Sequence, residues 1–306
     1  MARIRLWADI RDTFIRGNNA VAQIITINVA VFAVDLLFRI LFRFSESSSR
    51  IYDTVTNYVN LPGAFSKFIY QPYSIITYAF MHAGFIHIVF NMLGLYWFGQ
   101  IVREYIGNRR VWPIFLMGSI AGGLLYLLCY NTIPALQGVS GTTYLLGASA
   151  GVLALVVAAA TLVPDNQIFL MIIGPVPLKF VAFFYVLLAM AGLAYGSNFG
   201  GDVAHLGGAA FGFLFVKQLQ KGNDWSNILN RLFDGVVHIF KPRNPSQGKM
   251  KVHSVNTANR KAPIQPSVDT QKRLDEILDK ISASGYDALS SDEKEFLFNY
   301  SKQNQR

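Results

Sequence analysis

Apolar positions in this chain come in long blocks unbroken by charge. No Lys, Arg, Asp or Glu occurs from Phe68 to Val102, from Val111 to Pro164, or from Phe180 to Gly201. A membrane-crossing helix needs about 20 mostly apolar residues, so these blocks must hold several. Cut at their Gly, Pro and basic turns, they predict spans over Met81–Val102, Val111–Tyr130, Gly147–Leu162, Phe180–Tyr195 and Asp202–Leu219. An earlier apolar run, Asn19–Phe38, makes a sixth. The predicted fold class is an all-α membrane protein, a six-helix bundle with a short helical tail.

Outside the spans the pattern changes to amphipathic. Ile4, Trp7, Ile10 and Phe14 alternate with Arg3, Arg5, Arg11 and Arg16, which predicts an interfacial helix over residues 1–17. Trp225, Ile228, Leu229, Leu232, Phe233, Val236 and Phe240 share one helical face and predict a second. Four regions follow: an interfacial helix (1–17), a membrane domain (18–220), an interfacial helix with a basic linker (221–268) and a helical tail (269–306). In the tail, Leu274, Ile277, Leu278 and Ile281 form a stripe that stops at Gly285, and Ser290 with Glu293 offers a capping box. Such a tail reads as a regulatory or docking element. Residues 45–75 and 131–146 read as loops, and Gln167–Pro177 as a short apolar connection with two prolines. Asp35 and Arg39, one turn apart, read as a local ion pair near the end of the first span.

Composition sharpens this picture. The chain is 52% hydrophobic and 15% charged, against about 25% charged in soluble domains. The net charge of +9 would suggest nucleic acid on a soluble protein. Here the basic residues sit at the N-terminus, in the Arg103–Arg110 turn and in the tail, so they read as topology signals beside lipid, and no nucleic-acid partner is expected. The positive-inside rule then places both termini in the cytoplasm of a multi-pass protein, expected in the bacterial cytoplasmic (inner) membrane. One cysteine, Cys129, excludes an internal disulfide.

Three groups of polar residues interrupt the spans, where polar side chains are expensive. His82, His87 and Asn91 open the second span, with His87 and Asn91 one turn apart on one face and His82 turned away. A zinc site would need a different histidine spacing and a nearby acid, so no metal is expected. Gly147-Ala148-Ser149-Ala150-Gly151 opens the fourth span, where a helix N-terminus favours a developing anion. Ala204-His205-Leu206-Gly207-Gly208 lies in the sixth. Each group alone also suits close helix packing. A histidine facing a serine between small residues is a candidate general base.

Together these groups resemble the rhomboid family of intramembrane serine proteases, whose pattern is H-x4-H-x3-N, then G-x-S, then A-H-x2-G in three different spans. The matching residues are His82, His87, Asn91, Gly147, Ser149, Ala204, His205 and Gly208. The resemblance implies a Ser149–His205 dyad, an oxyanion held by His87, Asn91 and the Ser149 N–H, and support from His82 and Gly147. It implies hydrolysis of peptide bonds in or near transmembrane segments of other membrane proteins, within the lipid bilayer and without a cofactor. The rival is a non-catalytic rhomboid-like pseudoprotease that binds membrane-protein clients; the presence of both dyad residues argues against it. The chain departs from the family pattern at Ala150, Leu153 and Tyr73-Ser74, changes that bear on efficiency rather than mechanism.

Overall fold

A computed structural model describes residues 19–44, 46–170, 174–196, 198–231 and 268–304. The interfacial helix expected over 1–17, most of the one expected after Trp225, and the basic linker lie outside the described residues. The chain divides into two compact units, Met1–Lys241 and Pro242–Arg306.

The first unit is an all-α membrane bundle. Among the described residues, five helices are long and apolar enough to cross a membrane. They are α1 (Ala20–Leu41), α5 (Phe85–Ile106), α6 (Val111–Thr132), α9 (Leu178–Tyr195) and α10 (Phe199–Gln220). A sixth apolar helix, α8 (Ser149–Leu162), has 14 residues. That is about 21 Å of helix, well short of the roughly 30 Å of hydrocarbon in a bilayer.

α8 lies at the centre, with Ala150–Val156 and Ala158–Ala160 all buried. Its surroundings are built for close approach. A side chain on Gly208 or Gly212 of α10 would run into the Ala150 or Ala154 carbonyl. One on Gly122 of α6 would meet the Ala204 carbonyl of α10 and, at 2.8 Å, the Ala150 methyl. Lipid tails give no hydrophobic push between helices, so small residues that bring backbones together supply the packing. Ala150, where the family pattern has Gly, is accommodated by the missing side chain at Gly122.

The 45–75 loop differs from expectation. It carries a long helix, α2 (Glu46–Val59), then β1 (Leu61–Pro62) and two short helices, α3 (Phe65–Phe68) and α4 (Ser74–Thr77). Ile51, Val55 and Tyr58 are exposed along α2, an apolar stripe on a polar helix that suits a membrane surface. β1 pairs with β2 (Tyr144–Leu145), so this segment is stitched to the loop ahead of α8. A single-turn helix, α7 (Pro134–Gln137), lies in that same loop. Lys67 extends the seam by donating to the Gly141 carbonyl at 2.6 Å and the Tyr144 hydroxyl at 3.1 Å. The expected apolar connection Gln167–Pro177 is an antiparallel hairpin, β3 (Gln167–Leu170) with β4 (Gly174–Pro177). Backbone pairing satisfies polar groups that a bare loop at the membrane would leave open.

In the second unit, α11 (Val268–Ser284) and α12 (Ser291–Asn304) are joined through Gly285 at φ 79°. The capping box forms: Ser290 N–H donates to Glu293 Oε2 at 2.7 Å, and Glu293 N–H to Ser290 Oγ at 3.4 Å. Lys280 bridges to Glu293 at 2.9 Å, and Arg273 lies over the Phe296 ring.

Because Gly208 has no room for a side chain, Gly208→Val should force α8 and α10 apart at an overpacking cost of about 1–3 kcal/mol. Thermal unfolding in detergent should show a lowered midpoint. An unchanged midpoint would mean that this contact does not hold the bundle.

Candidate active site

Ser149 is the first residue of α8. Gly147, two residues earlier, has φ 129°, a conformation that glycine adopts without strain. Its N–H donates to the Tyr78 carbonyl at 2.9 Å, while the buried Tyr78 hydroxyl donates to the Ser119 carbonyl of α6 at 2.6 Å. Tyr78 thus ties the Gly147–Ser149 turn to the bundle, and nothing in its sequence neighbourhood signals that role.

His205 sits on α10, four residues before Ala209, on the face turned to α8 by the glycines beside it. Its Nε2 is 2.7 Å from Ser149 Oγ. Its Nδ1 faces Asp202 Oδ1 at 3.6 Å, ion-pair range but longer than a hydrogen bond. The predicted span Asp202–Leu219 begins at this residue. One turn before His205, it also lines the cleft, and its carboxylate fills the space left by Gly192 on α9. An acid three residues before a candidate base is a signal that sequence alone could have raised.

His87 belongs to the first turn of α5. The Ala83 N–H donates to its Nδ1 at 3.3 Å. A backbone N–H can only donate, so Nδ1 accepts and Nε2 carries the proton. That edge of the ring lies over Gly147: a methyl there would come within 2.9 Å of His87 Cε1, 3.2 Å of Nε2 and 3.6 Å of Ser149 Oγ. Asn91 is buried one turn on, and its amide donates to the His87 carbonyl at 2.8 Å. His82 lies outside the helix, in the turn before it, 1% exposed. Its ring packs edge-on against His87 at 5.3 Å and against Phe32 of α1 at 6.5 Å.

His87, Asn91, Ser149, Asp202 and His205 therefore line one cavity of about 390 Å³. Its other walls are mostly apolar, with Phe90, Leu146, Leu153, Val156, Tyr185 and Leu188 among them. Leu153, a departure from the family pattern, is part of this wall. Among the described residues, no three His, Cys, Asp or Glu side chains gather as metal ligands would.

The arrangement is that of a half-buried hydroxyl paired with an imidazole in an apolar membrane cleft. The rhomboid domain family matches residues 70–221, and the chain is a member of the rhomboid family. Residues 267–303 match a family of unknown function, DUF6576. The chain is similar to RHOMBOID-like protein 12, mitochondrial, of Arabidopsis thaliana, 33% identical over 159 residues, 49% of this chain and 47% of the plant protein. It is similar to Rhomboid protein 1, mitochondrial, of Saccharomyces cerevisiae, 32% identical over 48% of this chain and 42% of the yeast protein. Rhomboid-like protein 11, chloroplastic, of Arabidopsis thaliana is 26% identical over 66% of each chain. The chain spans about half the length of the first two of these relatives. The expectation of a bacterial inner membrane is corrected by these comparisons: the relatives are named for mitochondria and chloroplasts, which points to an organellar membrane. The placing of both termini in a bacterial cytoplasm falls with it.

Gly147→Ala should hurt twice, by straining a positive-φ backbone and by pushing a methyl toward His87. Strain of this kind costs about 1–3 kcal/mol. The unfolding midpoint in detergent should fall and the cleft should distort. A variant as stable as the parent, with unchanged reactivity at Ser149, would contradict this geometry.

Proposed function

We propose that this protein is an intramembrane serine endopeptidase, which cleaves transmembrane segments of other membrane proteins with a Ser149–His205 dyad. The observation that carries the reading is the 2.7 Å contact between Ser149 Oγ and His205 Nε2 inside an apolar cleft. A hydroxyl at that distance from an unprotonated imidazole nitrogen can be activated as a nucleophile.

In this mechanism Ser149 Oγ attacks the scissile carbonyl as its proton passes to His205 Nε2. The carbonyl oxygen becomes an oxyanion. Its donors are the Ser149 N–H, unpartnered within its own helix as the first residue of α8, the His87 Nε2–H and the Asn91 amide. Such donors contribute a few kcal/mol each in a site that excludes water. His205 then passes its proton to the leaving amine, and the C–N bond breaks to leave an ester on Ser149. Water, deprotonated by His205, attacks that ester and frees the enzyme. A second cavity of about 440 Å³ shares His87, Leu146, Asn198 and Gly201 with the first, a route for that water.

For Nε2 to accept, Nδ1 must carry the proton, and the Asp202 carboxylate facing Nδ1 favours that tautomer and the imidazolium that follows. The short length of α8 supports a nucleophile recessed within the membrane depth. The exposed faces of α9 suit a helix against which a substrate segment could enter. A peptide carbonyl is open to attack only where its helix is unwound, so preferred cleavage sites should hold small or helix-breaking residues.

The test uses the full chain in lipid vesicles with a panel of transmembrane segments containing such sites. The parent should cleave, and Ser149→Ala should remove cleavage while leaving the fold intact. Asp202→Asn should lower kcat/KM by about tenfold and move its pH profile, less than in triads where the acid is hydrogen-bonded to the histidine. Cleavage by Ser149→Ala at the parent's rate would overturn the assignment of the nucleophile.

A further inference from the structure

We infer that Arg39 of α1 is a positioning residue that holds His87 in the orientation and tautomer of an oxyanion donor; this rests on the serine-protease reading above. Arg39 lies outside the residues the rhomboid family matches.

The inference follows a chain of hydrogen bonds. Arg39 Nη1 donates to the Ala83 carbonyl at 2.9 Å and Nη2 to the His82 carbonyl at 3.0 Å. The planar fork of one guanidinium thus grips two successive carbonyls. The Ala83 N–H, in the same short turn, is the group that donates to His87 Nδ1. Gly84 at the head of α5 offers no side-chain cap. From α5 the turn meets the Ile88 N–H, which donates to the Gly84 carbonyl at 3.1 Å, and His87 itself; the side chain that grips its carbonyls comes from α1.

Arg39 is itself held. Its Nε donates to Asp35 Oδ2 at 2.9 Å, and Tyr52 of α2 donates its hydroxyl to Asp35 Oδ1 at 2.8 Å. The guanidinium lies 5.7 Å from the Tyr52 ring centroid. Burial first, then the bond to Asp35, pushes the Tyr52 hydroxyl up to about 12, so it remains a donor. The Asp35 side chain is 5% exposed in a largely apolar helix. A buried carboxylate there is costly unless paired and hydrogen-bonded. The i,i+4 pair seen in the sequence is therefore one link of a longer network: Tyr52 and Asp35 fix Arg39, Arg39 fixes the 82–83 peptide, and that peptide fixes His87. Lys replaces Arg in this network only in part, since a single ammonium does not reproduce the fork.

A merely structural clamp would make the same contacts, so the test reads His87 directly. Full-length protein with ¹⁵N-labelled histidine is examined in detergent micelles in alkaline buffer, where imidazoles are neutral. The His87 signals are assigned by their loss in His87→Ala. In the parent, His87 should show the single Nε2–H tautomer, and in Arg39→Gln a mixture of the two. Cleavage by Arg39→Gln should fall about tenfold in kcat with little change in KM, with Arg39→Lys between. In a His87→Ala background, Arg39→Gln should cost nothing further. An unchanged His87 tautomer in Arg39→Gln, or the same loss with and without His87, would overturn the inference. If Arg39→Gln does not fold, Tyr52→Phe loosens the network more gently and should move the His87 signals in the same direction; no movement would overturn it equally. The spectra need no substrate, so a parent that cleaves nothing would sink the protease reading while the Arg39–His87 coupling is still decided.

Discussion

A serine hydroxyl and an imidazole on different helices can exchange a proton only if the helix backbones approach closely, and that approach is the constraint on which this molecule is built. α8 and α10 meet where Gly208 and Gly212 face the Ala150 and Ala154 carbonyls with no space for a side chain. α6 closes the third side through Gly118 and Gly122. In lipid, small surfaces that fit are the main source of helix association. The same glycines that hold the bundle together set the distance between Ser149 and His205. One face of α10 is thus both packing surface and support for His205.

The second requirement is that polar groups in the bundle be held in one arrangement, because a loosely held polar group in an apolar cleft is expensive and badly aimed. Several groups at and around the cleft have an identifiable support. Gly147 is anchored by the Tyr78 carbonyl, His87 by the Ala83 N–H, and the 82–83 peptide by Arg39. Much of this support comes from the segment between α1 and α5, stitched to the loop ahead of α8 by the β1–β2 pair and by Lys67. That segment keeps the turn into α8 in place from outside the bundle.

The membrane character of the chain was legible because charge-free blocks of about 20 residues have few other physical uses. The residues that line the cleft were legible because histidine, asparagine and serine within such blocks stand out. Three features were not. α2 hid in a run whose Glu46 and serines read as loop, although Ile51, Val55 and Val59 recur at helical spacing. The β3–β4 hairpin has too few residues, and two prolines, for a period-two signal. Arg39 reaches the His82 carbonyl across 43 residues of sequence and Tyr78 the Ser119 carbonyl across 41, and such contacts leave no local pattern. Asp202 was visible but read by its position near a helix end, when its one-turn spacing from His205 was the more informative fact.

Whether Ser149 is a nucleophile activated by His205 can be read without any knowledge of substrate. Full-length protein in detergent is incubated with a fluorophosphonate, which phosphorylates activated serines with loss of fluoride, and the adduct is located by peptide mass spectrometry. If His205 activates Ser149, a single adduct forms on Ser149, absent or greatly slowed in His205→Ala. No adduct on Ser149, or one that forms equally fast without the histidine, would contradict that activation.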